Sequence, residues 1–178
     1  MPVSWIKARR IFAVRPRFFE EFLVTFSNTT PLFAFSALGA FDLLQAVHGH
    51  LHIVESVVEE CEVGGPIAVP DLRNLGWVTI EPAPFHPDPR FYMLDAGERD
   101  TISAALSHAS SRVLIDERLG RNLAEYHGLD VVGSLGTLLK AHQLKLIPHF
   151  LPVVRELQAK GFHYHEPLVQ RLGKLAGE

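Results

Sequence analysis

Four stretches of the chain end in side chains whose oxygens could act together. Ser27-Asn28-Thr29-Thr30 closes an apolar run that starts at Glu21, and Asp116-Glu117 closes Arg112–Ile115 (RVLI). Glu98 follows Asp95-Ala96-Gly97 at the head of a helical pattern, and Glu59 or Glu60 lies in the run after Leu51–Val54. Carboxylate and amide oxygens are hard donors. The chemistry such elements could share is the holding of a divalent cation, which reverses the field of clustered acids. Each residue also has a plainer reading. Asp95 and Glu98 match a helix N-terminus, where an acid caps amides and complements the dipole. Asp116 could cap the helix that begins at Arg118, Glu59 and Glu60 could be solvated helix charges, and Asn28 could be a turn residue. Joint placement favours a shared site, because perturbed carboxylates gathered in a cleft are more often functional than structural.

The elements that must position these residues follow from periodicity. Glu21–Ser27 (EFLVTFS) reads as the first strand. Pro31, with Thr30 as N-cap, predicts a helix over Leu32–Leu38 ended by Gly39. Ala40–Val47 carries a helical face, Leu51–Val54 predicts a second strand, and Ser56–Glu62 a helix stopped by Gly64-Gly65. Gly64–Gly76 has no clear period, Trp77–Glu81 predicts a strand, and Pro82–Arg90, with four prolines, a loop. Ala96–His108 predicts a helix, Arg112–Ile115 a buried strand, Arg118–His127 a helix closed by Gly128, and Val131-Val132 a last strand. Helices follow over Leu135–His142, Phe150–Lys160 and Pro167–Leu175. Strands alternating with helices of about ten residues predict an α/β fold with a parallel sheet covered on both faces. In such folds sites form beyond the carboxyl ends of the strands, where the acidic and amide side chains fall.

Composition narrows the classes. The 178 residues are 47% apolar and 21% charged, which excludes a disordered or low-complexity chain and predicts one compact domain. Cys61 is the only cysteine, so no internal disulfide can form, and the reading is of a reducing, cytoplasmic setting. The longest apolar stretch, Leu32–Phe41, is about half of the ~20 residues that a bilayer helix needs, so no membrane span is expected. Residues 1–21 hold five of the 17 basic and two of the 20 acidic side chains, leaving a body with 12 basic and 18 acidic groups. We read 1–21 as a basic extension, not a signal peptide, because Arg15, Arg17, Glu20 and Glu21 interrupt any apolar core. An acidic body does not grip nucleic acid by bulk charge, so any such role must be local.

Other motifs carry less. His48, His50 and His52 would share one face if Gly49–Ile53 is extended, but without a defined fourth ligand they read as surface histidines, as does His163-Tyr164-His165. Ser134 and His127 lack the elbow that a hydrolase nucleophile needs. Gly133–Gly136 matches no phosphate loop and reads as a tight strand-to-helix turn.

Taken in order, SNTTPLFAFSALGAFDLL, IVESVVEEC, LDAGERDTISAAL and VLIDERLGR resemble the PIN-domain family over residues 22–178. The segment GLDVVGSLGTLLKAHQLKLIP is similar to the prokaryotic branch related to VapC-type toxins. The resemblance implies a three-layer α/β/α fold with a central parallel sheet, here with a C-terminal helical pair over 150–175. It implies a cytoplasmic, Mg²⁺- or Mn²⁺-dependent endoribonuclease, the toxin of a toxin–antitoxin pair, with an RNA substrate, a small antitoxin protein as partner, and a homodimeric state. Carried over by position, Asn28, Glu60, Glu98 and Asp116 are the catalytic residues, Asn28, Glu98 and Asp116 the metal ligands, and Thr29 and Glu117 the second-rank candidates. The chain departs from the pattern at Asn28, where the family usually has Asp. Asn offers a neutral oxygen and no charge, which weakens metal affinity. A second expectation follows from it: a catalytically silent PIN-like module that binds RNA or a protein partner.

Overall fold

The computed structural model describes residues 23–109 and 111–178. The basic extension, and Glu21 and Phe22 of the predicted first strand, lie outside the described residues. The elements run β1 (Val24–Ser27), α1 (Thr29–Ala37), α2 (Asp42–His48), β2 (Leu51–Val54), α3 (Glu55–Val63), β3 (Val78–Glu81), α4 (Ala96–Leu106), β4 (Ser111–Leu114), α5 (Arg118–Tyr126), β5 (Asp130–Val132), α6 (Ser134–Gln143), α7 (Leu151–Ala159) and α8 (Glu166–Ala176). Short 3₁₀ turns at Leu72–Asn74 and Pro89–Met93 interrupt the two long connections that flank β3.

The strands form one five-stranded parallel sheet in the order β3-β2-β1-β4-β5. Chain order moves outward from β1 to β3 and then returns to the other side of β1 at β4, so the topological switch lies between β1 and β4. Open α/β sheets bind ligands there, beyond the strand carboxyl ends. Register aligns Ser27 of β1 with Leu114 of β4, which places Asn28 and Asp116 one and two residues beyond that edge. Phe26, Leu51, Ile53, Val113 and Leu114 are fully buried, as expected of strands covered on both faces. Each such side chain contributes roughly 1.5–3 kcal/mol of burial free energy. Helix α4 packs on β1, β2 and β4 between α3 and α5, while α1, α2 and α6 pack together. The C-terminal pair rests on the body: α8 packs on α6 and α7, and the Glu178 carboxylate accepts the Phe150 and Leu151 N–H groups at 2.8 Å each.

Two local expectations are corrected. Helix α1 begins at Thr29, three residues before Leu32, with Asn28 and not Thr30 as its N-cap residue. Pro31 therefore sits inside the first turn. It is tolerated there because first-turn N–H groups have no intrahelical acceptor to lose. His48 does not share a face with His50 and His52. It ends α2, ahead of Gly49 at φ 76°, and its Nε2 meets Thr137 Oγ1 of α6 at 3.0 Å. His50 directly precedes β2 and His52 lies on it, 2.7 Å from Thr79 Oγ1 and Glu81 Oε1 respectively. No helix among the described residues is long and apolar enough to cross a membrane.

Candidate active site

The end of β1 is tied to the end of β4 by the bond from Asn28 N–H to the Leu114 carbonyl at 3.0 Å. Asn28 is 3% exposed, and its side chain leaves the amides of α1 uncapped. Its Oδ1 instead faces the hydroxyl of Thr29 at 3.4 Å, and that hydroxyl donates to Glu60 Oε2 in a short bond. The other Glu60 oxygen accepts the Gly97 N–H, 3.1 Å away, at the start of α4. A side chain at Gly97 would collide with this arrangement. Its Cβ would lie 2.7 and 2.8 Å from the two Glu60 oxygens and 3.0 Å from Asn28 Oδ1. The backbone of α4 thus approaches two candidate residues because residue 97 carries none. Of the two candidates on α3, Glu60 turns inward and Glu59 is exposed.

Glu98 follows immediately. Asp95 caps α4 by accepting the Glu98 N–H at 2.7 Å, which bears out the plainer reading of Asp95 and leaves the Glu98 carboxylate free to face inward. That carboxylate is 4% exposed, and its Oε1 is buried with no hydrogen-bond partner. Burial raises its pKa to about 7, and the negative charges of Asp95, Glu117 and Glu60 add to the rise. Gly120, in the first turn of α5, makes the space: a Cβ there would stand 2.8 Å from Glu98 Oε1. A buried acid with one oxygen unpartnered and no countercharge beside it is costly when ionised, so it takes up a proton or a countercharge from outside.

Asp116 is held differently. It does not cap α5; both its oxygens serve the N-terminus of α6, accepting Ser134 N–H at 2.7 Å and Ser134 Oγ–H at 2.5 Å. Burial raises its pKa against these bonds and against the charge of Arg121, which itself donates from Nη1 to the Ile115 carbonyl at 2.9 Å. Glu117, the exposed N-cap residue of α5, acts electrostatically on both Glu98 and Asp116. The structure therefore joins Asn28, Thr29 and Glu60 directly around Gly97 and sets Glu98 in the charge field of Glu60. Asp116 is linked to them through Glu117 and the paired ends of β1 and β4.

Whether these residues suit a divalent cation turns on donor chemistry. Among the described residues, no three His, Cys, Asp or Glu side chains assemble into a metal-holding group. The set around Gly97 is instead two carboxylates and a neutral amide oxygen, with one Glu98 oxygen unpartnered. Mg²⁺ commonly takes only one or two carboxylates, keeps several waters and completes its shell with substrate phosphate. The residues fit a cation of that kind, and they do not fit a closed structural cage.

Sequence reasoning missed Gly97, Gly120 and Gly133, whose emptiness lets acids approach; Gly133 stands where a Cβ would be 2.6 Å from Asp116 Oδ1. His163 and His165 are exposed, as the sequence reading has them, but it did not foresee where their turn lies. The turn between α7 and α8 returns to the sheet edge, where Thr30, Asp116, Glu117, Phe162, His163 and Tyr164 line a cavity of about 330 Å³. No local signal marks either feature, since the partners are far apart in sequence.

A family model described as a PIN domain matches residues 24–178. Neither a curated protein nor a solved structure gives a significant match to the chain.

Proposed function

The chain belongs to the PIN-domain family, and from that membership we propose that it is a divalent-metal-dependent endoribonuclease, the toxin of a toxin–antitoxin pair. The observation that carries the reading is Glu98: a buried carboxylate with an unpartnered oxygen, surrounded by further acids at the switch point of the sheet. Asn28, Glu60 and Glu98 would hold Mg²⁺ or Mn²⁺, with Asp116 on the β4 side of the same edge. When bound, the cation supplies neutralisation of phosphodiester charge and activation of water for in-line attack, leaving 3′-hydroxyl and 5′-phosphate ends.

The protein's own residues prepare that chemistry. Thr29 and the Gly97 N–H each hold one oxygen of Glu60, which fixes its orientation. Ser134 holds Asp116 in the same way from the opposite side. Glu98 holds a proton near neutral pH when no countercharge is present and releases it when one arrives. Preorganised oxygens of this kind lower the cost of assembling the reacting geometry. The small antitoxin and the homodimer are part of the proposal and rest on the resemblance to VapC-type toxins.

A second reading, a silent module that binds RNA or a protein, is favoured by two observations: Asn28 brings no charge, and Asp116 spends both oxygens on Ser134. Incubation of the purified protein with pooled single-stranded RNA in Mg²⁺, Mn²⁺ or EDTA separates the two. The nuclease reading expects metal-dependent cleavage that is lost in Asp116→Asn. RNA left intact under all three conditions establishes the silent module instead.

A further inference from the structure

The acids at the sheet edge leave the α7–α8 turn unexplained. Gly161 has φ 97°, a conformation that glycine adopts and other residues resist, and it bends the chain so that Phe162 and Tyr164 pack back on the core. His163, between them, is exposed and lines the cavity together with Thr30, Asp116 and Glu117. Tyr164 lines it as well, with a buried hydroxyl that has the Ser134 side chain beside it. Burial and the nearby charge of Asp116 push that phenol's pKa up, so it stays protonated and able to donate.

The lining disfavours one occupant. It carries two carboxylates and, among the described residues, no Lys or Arg, so the lining itself offers nothing that attracts a phosphate. It offers aromatic faces and a carboxylate at the rim, which suit a flat, neutral ring whose edge bears N–H donors. At about 330 Å³ the cavity lies near the lower end of small-molecule pockets, roughly 300–1,000 Å³. Single-stranded RNA is recognised in this way, by stacking a splayed base on aromatic or histidine rings and bonding its edge.

We propose that the α7–α8 turn and the Glu117 rim form a base-selective subsite, in which one unpaired nucleotide beside the cleavage point stacks on His163 and donates its exocyclic amino group to the Glu117 carboxylate. That the nucleotide belongs to RNA rests on the nuclease reading above. Cytosine and adenine present an amino donor where uracil presents a carbonyl acceptor, and an acceptor facing a carboxylate is rejected. The subsite therefore prefers cytosine or adenine over uracil.

Fluorescence polarisation of labelled five-nucleotide C, A and U RNAs with the full chain in EDTA tests this apart from catalysis. The wild type should bind the C and A RNAs about tenfold more tightly than the U RNA. His163→Ala should weaken C binding by about tenfold, the size of one stacking contact, with the melting temperature unchanged, and His163→Phe should restore it. Glu117→Gln should erase the preference for C over U. Equal affinity for the three RNAs, or His163→Ala binding as the wild type does, overturns the subsite. Repeating the assay as cleavage in Mn²⁺ separates the two claims. Selective, His163-dependent binding without cleavage removes the nuclease reading and keeps the subsite, and cleavage with indifferent binding does the reverse.

Discussion

Glu98 at the sheet edge and Glu166 in the α7–α8 hairpin are the same kind of side chain in opposite circumstances. Glu166 is bound by Arg155 from α7, and those bonds bring its pKa down to about 2. Glu98 is buried among other acids, with a backbone bond from Asp95 opposing them, and its pKa rises to about 7. The same division holds more widely. Arg90 depresses the pKa of Asp88 and Arg73 that of the exposed Glu55, whereas burial raises that of Asp116. Arginines are thus placed where they fasten connections. Beside the two raised acids, Arg121 acts on Asp116 and not on Glu98. The difference teaches that Glu98 is not placed for stability as an ionised group: a proton or a countercharge from outside has to neutralise it, which is a trait of functional sites.

The largest expected effect comes from removing the unpaired acid. Glu98→Gln should lower metal-dependent RNA cleavage by more than the roughly 10–100-fold that loss of an outer-shell partner costs. The same substitution should stabilise the fold at high pH. The folded chain keeps the Glu98 proton up to about pH 7, whereas the unfolded chain releases it near 4.5, so stability falls as pH rises through that window and is lowest above it. Urea unfolding at pH 5 and pH 8 should show the wild type losing stability at pH 8 and Glu98→Gln avoiding about 1–3 kcal/mol of that loss. A variant with less activity and less stability at both pH values would place Glu98 among ordinary packing residues.

A smaller effect is expected at Gly97. The added Cβ of Gly97→Ala meets the far end of the Glu60 side chain, which can swing aside, so folding is nearly unaffected. Glu60 then loses the pose set by Thr29 and the Gly97 N–H, and cleavage should fall by roughly 10–100-fold. Circular dichroism melting and initial cleavage rates, read together, separate the two effects. The smallest change belongs to the hairpin: Arg155→Ala breaks an exposed ion pair and should leave both cleavage and melting temperature almost unmoved. A marked loss of activity there would erase the contrast drawn between the two regions.

Much of this arrangement is legible from the chain. Leu51–Val54 is found as read, β3 and β5 differ by one residue at an end, β4 lies one residue earlier, β1 ends at Ser27 as read, and the alternation with helices is enough to send Asn28 and Asp116 to the carboxyl edge. The start of α1 is misread because Pro31 resembles an entry signal, while the physics of the first turn permits proline further in. The site is legible only as a set of residue types. That Asp116 spends its oxygens on Ser134, 18 positions away, or that His163 returns to a cavity beside Thr30, depends on contacts that no local period encodes. The three small glycines at 97, 120 and 133 read as turns or helix positions, since space left for another residue's carboxylate has no signature in the residue that leaves it.

The central claim, that the edge acids await a divalent cation, is tested most directly by calorimetric Mn²⁺ titration of the wild type, Asn28→Asp and Glu98→Gln. Attraction to the cation grows with ligand charge, so Asn28→Asp should bind about tenfold more tightly than the wild type and Glu98→Gln should show no measurable binding. Identical affinity in all three proteins would mean that neither residue touches the ion, and would contradict the account.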